Sequence, residues 1–559
     1  MRWLTATVAV PVLLVVSATL TARGRADSAA LPLMAAVPAH AMEQNPSDFG
    51  CPAGQPATPS PGPGFVPSQD CQGWVPADHP SARRKGGAPP APPVAAAPGS
   101  FGCPAGTPPA PSPGPAFVPT QDCQGWVPRD HPLARRATAF DQVISANKDA
   151  LFEQGKQIFR FDTFGDEAFW GDTLRLHQAI AGAANGGVGP GLSPAQALAL
   201  GLKVDVNAVP APVAAALRAG TLDLNNPANT VALLKANAVV GVTAFVNASG
   251  SVRSMGIQCA FCHSTVDDSF APGIGNRLDG WANRELNVGA IIAFAPNLQP
   301  LVDLLGVPDP TVRSVLRSWG PGKFDAELIL DGKAVNPQQM SHGVVTGTNV
   351  PAATLIPPAY GLQGVNLHTW TGWGSIPHWN AFVANLEMHG IGNFFDPRLN
   401  DAAQFPIAAR NGFGNIVRNP DADLITPKLP ALHAYQLSIP APTPPAGSFD
   451  PAAAARGDEI FNGAGRCGSC HREPLFTEPG WNLHAGADIG IDNFQADRAP
   501  DHKYRTSPLK GLFAHQKGGF FHDGRFATLL QVVQHYNQTL SLNLTPQQMN
   551  DLVEYLKSL

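Results

Sequence analysis

The chain has 559 residues, a formal net charge of −5 and a pI near 6.3. This charge, without a basic stripe along the sequence, argues against nucleic acid as a partner. Charged residues make up only 14%, whereas glycine and proline number 56 and 57, which predicts long ordered loops. The length allows about three domains.

The first 26 residues are typical of a secretory signal peptide. Arg2 precedes an apolar stretch from Val8 to Leu20, and Gly24-Arg25-Ala26 has the small-x-small pattern of a cleavage site. The stretch is shorter than the ~20 residues of a membrane span, and an uncleaved N-terminal anchor is the alternative. We therefore expect a periplasmic or secreted protein, in a compartment where disulfides persist.

Residues 27–136 are rich in proline and glycine and contain two copies of one sequence unit, residues 49–84 and 101–136. Each copy opens with Phe-Gly-Cys-Pro-Ala-Gly and contains Gln-Gly-Trp-Val-Pro. We predict a disulfide within each copy, because closing a loop of ~20 residues stabilises a unit without a core by roughly 3 kcal/mol. The predicted pairs are Cys51–Cys71 and Cys103–Cys123. We interpret the region as an adaptor or spacer, and the sequence does not identify its partner.

A globular pattern begins near Ala137. Two predicted strands, Val239–Val246 and Ser251–Ile257, flank the turn Asn247–Gly250 and form a small β-hairpin. The hairpin leads the chain directly into a cysteine motif.

Two short strings in the chain have the form C-x-x-C-H, the pattern for covalent attachment of a c-type haem. Two thiols add to the vinyl groups of one porphyrin, and the adjacent histidine binds the iron as proximal ligand. The alternatives are a disulfide inside each motif or a zinc site, but structural zinc takes four protein ligands and no second cysteine pair lies near either motif. We predict two covalently bound haems. The strings are Cys259-Ala-Phe-Cys262-His263 and Cys467-Gly-Ser-Cys470-His471.

The C-terminal section, residues 451–559, reads as a small cytochrome c domain. A Pro-rich linker at 439–450 separates it from an N-terminal haem domain at 137–438. Its predicted helices are Ala455–Phe461, Leu529–His535 and Thr545–Leu556, the last beginning with a threonine cap before Pro546. The predicted fold is mainly α, with two cytochrome c-type haem domains, long loops and a small β-hairpin, after a Pro-rich region of disulfide-containing repeats.

The string Phe521-His-Asp-Gly-Arg525, followed by Ala527-Thr-Leu529 and a helix, resembles the bacterial diheme cytochrome c peroxidase superfamily. That superfamily includes MauG-type enzymes and, more distantly, the diheme rubber oxygenases. The specific part of the resemblance covers Ala455–Tyr536. The N-terminal half matches at its haem motif and weakly at residues 355–373, and it is longer than the family norm, so it carries insertions.

The resemblance implies roles for residues around the second haem. The helix after the His-Asp-Gly string supplies a distal ligand in this family, which implies Tyr536, with His535 beside it. His502, His515 and His522 are other candidates. The resemblance also implies that Trp370 or Trp373 relays electrons between the haems, with core packing as the alternative. It further implies a calcium ion between the domains, for which no oxygen-ligand pattern is visible.

The surroundings of the first haem depart from the family pattern. Resting peroxidases of the family place a distal histidine soon after the motif, but residues 264–339 contain none, which favours an open iron. Alternative ligands are His177, His342, His368, His378 and His389, whereas His79 and His131 are expected on the surface. Glu387 is a candidate general acid/base for oxygen–oxygen cleavage, with a surface role as the alternative.

Three functions remain open from the sequence. The first is a diheme oxidoreductase that takes electrons from a small cytochrome or cupredoxin and uses them to reduce hydrogen peroxide or oxidise a substrate. The second is a dioxygen-dependent diheme oxygenase acting on an apolar substrate. The third is an electron-transfer cytochrome without catalysis. The protein pocket, rather than the haem itself, decides between these chemistries.

Overall fold

The computed structural model describes residues 65–67, 74–76, 103, 110–114, 116–134, 139–335 and 351–559. The predicted signal peptide, the Cys51–Cys71 pair, His79 and His342 lie outside these residues. The chain divides into two compact units, residues 1–138 and 139–559. None of the helices in the described residues is long and apolar enough to cross a membrane.

The first unit contains the two sequence repeats, each with a short antiparallel strand pair. In the second repeat, Cys103 and Cys123 form a disulfide. Val118 is buried against Ala134, and the indole of Trp126 donates a hydrogen bond to the carbonyl of Ala110 (2.7 Å). His131 lies on the exposed surface, as expected. The strands are β1 (Phe65–Pro67), β2 (Trp74–Pro76), β3 (Phe117–Pro119) and β4 (Trp126–Pro128).

The second unit is mainly helical, as predicted. Most helices are short and are joined by loops, in keeping with the glycine and proline content. They are α1 (Ala139–Phe161), α2 (Leu176–Ala181), α3 (Pro194–Ala199), α4 (Ala211–Arg218), α5 (Pro227–Lys235), α6 (Ala260–His263), α7 (Val288–Ile292), α8 (Gln299–Leu305), α9 (Asp309–Ser318), α10 (Leu328–Asp331), α11 (Ile376–Phe382), α12 (Pro406–Asn411), α13 (Leu429–Ser438), α14 (Pro451–Asn462), α15 (Leu529–Thr539) and α16 (Pro546–Ser558). Two π-helical segments are Ala168–Thr173 and Val383–Glu387.

The strands of the second unit are short and form two-stranded pairs. The pairs β6–β7, β8–β10, β11–β12 and β13–β14 are antiparallel, and β5–β9 is parallel. The strands are β5 (Val204–Asp205), β6 (Val242–Val246), β7 (Val252–Ile257), β8 (Ser264–Val266), β9 (Ile274–Gly275), β10 (Arg277–Asp279), β11 (Lys323–Phe324), β12 (Thr354–Leu355), β13 (Phe394–Phe395) and β14 (Asn415–Ile416).

Side-chain caps fix where the C-terminal helices begin. The carboxylate of Asp450 accepts hydrogen bonds from the first backbone N–H groups of α14, and Pro451 occupies the first helical position. Thr528 and Thr545 form capping boxes at the starts of α15 and α16. The helix predicted from Thr545 therefore begins at Pro546, as its sequence indicates.

The hairpin of β6 and β7 positions the first cysteine motif. The strands pair with Val242 opposite Ile257, and the N–H of Gln258 donates to the carbonyl of Gly241 (3.1 Å). A Cβ at position 241 would overlap the backbone of Phe261, and its φ of +79° also favours glycine. The hairpin therefore packs directly against the residues between the two cysteines.

The second unit contains two similar helix pairs. Helix α1 crosses α13, and helix α14 crosses α16, each at a glycine whose Cβ would overlap the backbone of the partner helix. Each pair buries a phenylalanine against a tyrosine, with ring centroids 5.5 Å apart in the first pair and 5.1 Å apart in the second. The matching residues are Gly155, Phe159 and Tyr435 in the first pair and Gly457, Phe461 and Tyr555 in the second.

The Pro-rich segment at 439–450 lies against the rest of the second unit. The carbonyl of Ile439 accepts a hydrogen bond from the N–H of Gly361 (2.9 Å), and the Ile439 side chain packs against a hydrophobic core cluster. The segment therefore joins α13 to α14 within one compact unit, because its apolar side chains have a surface to bury against.

Candidate functional site

The first C-x-x-C-H motif sits at helix α6. Cys259 and Cys262 are free thiols, and the ring nitrogen Nδ1 of His263 lies 3.1 Å from the carbonyl of Pro357. The carbonyl of His263 accepts a hydrogen bond from the N–H of Gly280 (2.8 Å). The histidine is thus fixed through its Nδ1 and its backbone.

The second motif repeats this geometry. Cys467 and Cys470 are free thiols, and Nδ1 of His471 lies 2.9 Å from the carbonyl of Phe476. In metal sites, a ligating histidine commonly donates its other ring N–H to a backbone carbonyl, which fixes the ring and leaves one nitrogen for the metal. Both histidines have this arrangement.

Each motif lines a cavity with apolar walls. The cavity at His471 has a volume of about 450 Å³, within the ~300–1,000 Å³ of cofactor pockets. The cavity at His263 measures about 120 Å³, so its walls would have to part to admit a porphyrin. Paired free thiols, a positioned histidine and an apolar cavity are the chemistry that a c-type haem requires. The residue types at both motifs therefore fit this cofactor, and the cavity at His471 also has the volume for it.

Glu387 lines the first cavity together with Cys262 and His263. It lies in the π-helical segment that continues α11, and such segments are frequent at functional sites. Burial raises the pKa of Glu387 to about 8, and the nearby acidic residues Glu327 and Asp325 add to this effect. The carboxyl group therefore holds its proton near neutral pH, as a general acid must.

A buried cluster of charged side chains contributes to the raised pKa of Glu387. The guanidinium of Arg498 lies 2.8 Å from Asp325 and 2.7 Å from Asp331, and all three side chains are fully buried. Glu327 accepts a hydrogen bond from the amide of Gln495 (2.9 Å), and burial raises its pKa to about 7 despite Arg498. Three acidic groups face one guanidinium, so the cluster has surplus negative charge, which favours retention of protons nearby.

The second π-helical segment also contributes to the first cavity. Trp170 lines the cavity, and its indole donates a hydrogen bond to the carbonyl of Met388 (2.9 Å), the residue after Glu387. His389 stacks on Phe169, with ring centroids 3.7 Å apart. These contacts hold the two π-helical segments against each other beside His263.

Among the described residues that line the first cavity, His263 is the single histidine. The ring of His368 bonds to the carbonyl of Val365, and His378 packs within an aromatic cluster. His177 is buried but does not line the cavity, and its Nδ1 has no hydrogen-bond partner among the described residues. The open iron at His263 stays a prediction.

Tyr536 lines the second cavity with Cys467, Cys470 and His471. Burial raises the pKa of its phenol well above the usual value, and the two facing thiols add to this. His535 does not line the cavity, because its Nε2 lies 2.8 Å from the carbonyl of Ile489. Of the two distal ligands implied by the resemblance, the geometry favours Tyr536.

Other predicted histidine ligands take different positions around the second cavity. His515 and His522 line it, and Nδ1 of His515 lies 2.8 Å from the hydroxyl of Tyr360. His522 stacks on Tyr504, with ring centroids 5.1 Å apart. His502 is exposed and lies 3.4 Å from the carboxylate of Asp497.

The two tryptophans implied as electron relays are in different environments. Trp370 lines the second cavity, and its indole donates to the carbonyl of Leu355 (2.8 Å) in the N-terminal half. Trp373 is fully buried in an aromatic core beside Phe405, and its indole donates to Asp396 (3.0 Å). Both faces of the Trp373 ring and its N–H are therefore occupied, whereas Trp370 lies on a cavity wall; the relay role of either residue stays a prediction.

The sequence reading missed the buried charged residues. Arg498 lies more than 160 residues after Asp325 and Glu327 in the sequence. No local sequence pattern therefore reveals the cluster. Arg505, which lines the second cavity, was also missed. Its position shortly before the Phe521–Arg525 string is the signal that could have drawn attention to it.

Among the described residues, Cys470, Glu478 and His484 form the group whose potential metal-ligating atoms converge. Calcium takes six to eight oxygen ligands, so this mixed group does not suit it. The calcium ion implied by the resemblance stays a prediction.

Two cavities, each built around a C-x-x-C-H sequence in a similar helical frame, define a protein with two sites suited to c-type haem. No protein-family model matches the chain. The methylamine utilization protein MauG of Methylorubrum extorquens is 30% identical over 122 residues, covering 19% of this chain. The match spans 34% of the length of MauG. The chain thus shows the predicted resemblance to the MauG and diheme peroxidase superfamily, at low identity.

Two solved structures are also similar to parts of the chain. A MauG-like protein associated with microbial copper homeostasis is 21% identical, with a TM-score of 0.20, and the match covers 24% of this chain and 56% of that one. The diheme peroxidase BthA of Burkholderia thailandensis is 18% identical, with a TM-score of 0.24, covering 44% of this chain and 78% of that one.

Proposed function

We propose that this chain is an exported diheme c-type oxidoreductase. His471 would hold the haem at which electrons enter, and His263 would hold the haem at which hydrogen peroxide would be reduced or a substrate oxidised. A small cytochrome or cupredoxin supplies the electrons. The position of Glu387 carries the proposal, because its carboxyl group lines an apolar cavity next to His263 and has no hydrogen-bond or ion-pair partner among the described residues.

The residues have distinct tasks in this function. The haems, when bound, supply electron transfer and oxygen–oxygen chemistry at iron. The carboxyl group of Glu387 donates a proton to the leaving oxygen of the peroxide. Trp170 and Met388 hold the cavity wall and exclude water. Trp370, a residue of the N-terminal haem domain, lines the second cavity and is the candidate electron relay.

A second candidate function is dioxygen-dependent oxidation of an apolar substrate. The walls of the first cavity favour it, since they consist mostly of aliphatic and aromatic side chains. They include Trp170, Leu176, Ile180, Leu192, Leu202, Val288 and Ile291. Glu387 favours peroxide chemistry instead, because a proton donor is needed to release water. Oxygen consumption with an apolar alkene substrate and no peroxide would reverse this preference.

The test combines haem analysis with the variant Glu387→Gln. We expect two covalent haems per chain and a high-spin EPR signal from about one iron, which is lost on adding peroxide. E387Q keeps the shape of the side chain but removes the proton donor, so we expect peroxide-dependent turnover to fall by roughly 10²–10⁴-fold with haem content unchanged. Turnover of the native protein should fall as pH rises through about 8, because Glu387 then loses its proton.

The matched control is Glu459→Gln, an exposed glutamate on α14, which should keep full activity. Two low-spin signals that peroxide leaves unchanged, even after one-electron reduction, would identify an electron-transfer cytochrome and end the enzyme proposal. Unchanged turnover in E387Q would remove Glu387 from the mechanism.

A further inference from the structure

Arg505 has a position that the proposed electron path does not explain. It lines the second cavity, where the other cationic side chains, Arg466 and Lys510, are exposed. Arg505 itself is partly buried, and none of the carboxylates of the described residues forms an ion pair with it. Burial lowers the pKa of its guanidinium to about 10, with no acidic group opposing the shift.

The guanidinium is nevertheless held firmly. Its Nε and Nη1 donate hydrogen bonds to the carbonyls of Thr369 and Leu367, the latter at 2.6 Å, and its backbone N–H donates to the carbonyl of Trp370 (3.1 Å). These three bonds fix the segment that ends in Trp370 at the edge of the cavity. Arg505 therefore belongs to both the cavity wall and the predicted electron relay.

A partly buried cation without an anion is unfavourable unless an opposing charge binds beside it. A guanidinium is the side chain best shaped to bind a carboxylate, through parallel N–H donors. A haem carries two propionate carboxylates on one edge of its ring, and the same cavity contains the attachment motif at Cys467–His471. A haem propionate would thus supply the negative charge that pairs with the Arg505 guanidinium.

We propose that Arg505 binds a propionate of the haem attached beside His471 and thereby sets the reduction potential of that haem while holding Trp370 at its edge. Arg505 acts here as a cofactor-binding and positioning residue. The proposal rests on haem attachment at the second motif but not on the peroxidase activity, so it stands if the chain proves to be an electron carrier.

The test is a spectroelectrochemical titration of the holoprotein, with the haem at His471 assigned by EPR. In Arg505→Gln the propionate keeps its charge but loses its counter-ion, so we expect a lower midpoint potential for this haem alone. The freed propionate can also take up a proton, so its midpoint should become more dependent on pH between about pH 5 and 8 than in the native protein. Arg505→Lys should restore most of the native potential.

Other groups around the cavity also titrate, and the comparison must remove their effect. They are Tyr360, Arg466, His484, Asp488, Tyr504, Lys510, His515, His522 and Tyr536 on the cavity wall, with His368 near Arg505. These groups are unchanged in R505Q, so only the difference from native protein is used. Arg466→Gln, an exposed cation on the same cavity, is the matched control and should leave the potential unchanged.

Several results would overturn the proposal. One is an R505Q protein with two haems and a native midpoint potential at every pH. Another is an equal shift in R466Q, which would indicate a general charge effect. A midpoint that depends on chloride concentration at constant ionic strength would indicate a diffusible anion at Arg505.

If R505Q does not incorporate haem, R505K decides the question by resonance Raman spectroscopy. We expect its propionate-bending band to shift from the native position, because lysine cannot form the forked contact. An unchanged band would contradict propionate binding.

Discussion

The two halves of the second unit share one helical frame but differ in what they place around the cysteine motif. In each half, a glycine on the first helix lets a later helix approach closely, and a buried phenylalanine packs on a tyrosine of that helix. The first half adds the β6–β7 hairpin and two π-helical segments, which bring Glu387 and Trp170 into its cavity. The second half is shorter and brings Tyr536.

This comparison indicates that the frame holds a haem site and that the inserted loops decide its chemistry. An acidic proton donor suits a site where peroxide reacts, whereas a phenol suits a site whose iron is to be ligated. Matching substitutions at the helix crossings of the two halves should therefore have similar effects on stability. Substitution of a loop residue should change the haem site of one half only.

The largest effect is expected from the glycines at the helix crossings. In Gly155→Ala and Gly457→Ala, the new methyl group overlaps the carbonyl of Ala431 or of Asp551. The backbones must move apart, so we expect each variant to lose about 2–3 kcal/mol of stability, more than the gain in helix propensity of about 1 kcal/mol. Differential scanning calorimetry measures both losses.

The controls are Gln154→Ala and Glu459→Ala, exposed neighbours on the same helices, which should change stability by less than about 0.5 kcal/mol. A single transition lowered by both glycine variants would indicate that the halves unfold together. If each variant lowered a separate transition, the halves would be independent domains joined at 439–450. A native transition temperature in either variant would contradict the shared frame.

The frame was partly visible in the sequence because its signals are local. Thr545 and Pro546 indicate a helix start, and the turn at 247–250 indicates the hairpin. The two C-x-x-C-H motifs are recognisable from their spacing alone. The pairing of α1 with α13 was not visible, since Gly155 and Tyr435 are far apart in sequence. Contacts of this kind depend on the folded chain and leave no periodic pattern.

The next largest effect is expected at the second haem from Tyr536→Phe. This variant removes the phenol oxygen and keeps the ring that packs in the cavity. If Tyr536 ligates the iron, we expect the EPR and optical spectra of this haem alone to change and its midpoint potential to rise, because an electron-rich oxygen donor is lost. EPR and redox titration of the holoprotein measure the change.

His535→Asn is the matched variant, because His535 is adjacent but bonds to the carbonyl of Ile489. Its spectra should remain native. Native spectra in Y536F, or altered haem ligation in H535N, would show that the distal ligand lies elsewhere. Besides His471, the described histidines on the cavity wall are His484, His515 and His522.

The candidate site was also partly visible. Tyr536 was identified through the resemblance, because it lies on the helix after the His-Asp-Gly string, whereas Glu387 was identified as a carboxylate that could move protons. The residues that shift the pKa of Glu387 were not identified. Glu327 raises this pKa through its charge and is not a sequence neighbour of Glu387. Likewise, the sequence around Arg505 does not reveal that its guanidinium is partly buried without an ion-pair partner among the described residues.

The smallest effect is expected from Glu327→Gln, which tests whether the buried charge cluster tunes the first half alone. Burial raises the pKa of Glu387 most, and the charge of Glu327 adds to it. The glutamine removes that charge while its amide oxygen can still accept from Gln495, so the pKa of Glu387 should fall. We expect the alkaline limb of the peroxide turnover profile to move toward lower pH by less than about one unit, with the potential of the haem at His471 unchanged. Glu459→Gln should keep the native profile, and an alkaline shift or a native profile in E327Q would show that the cluster serves only to join the two halves.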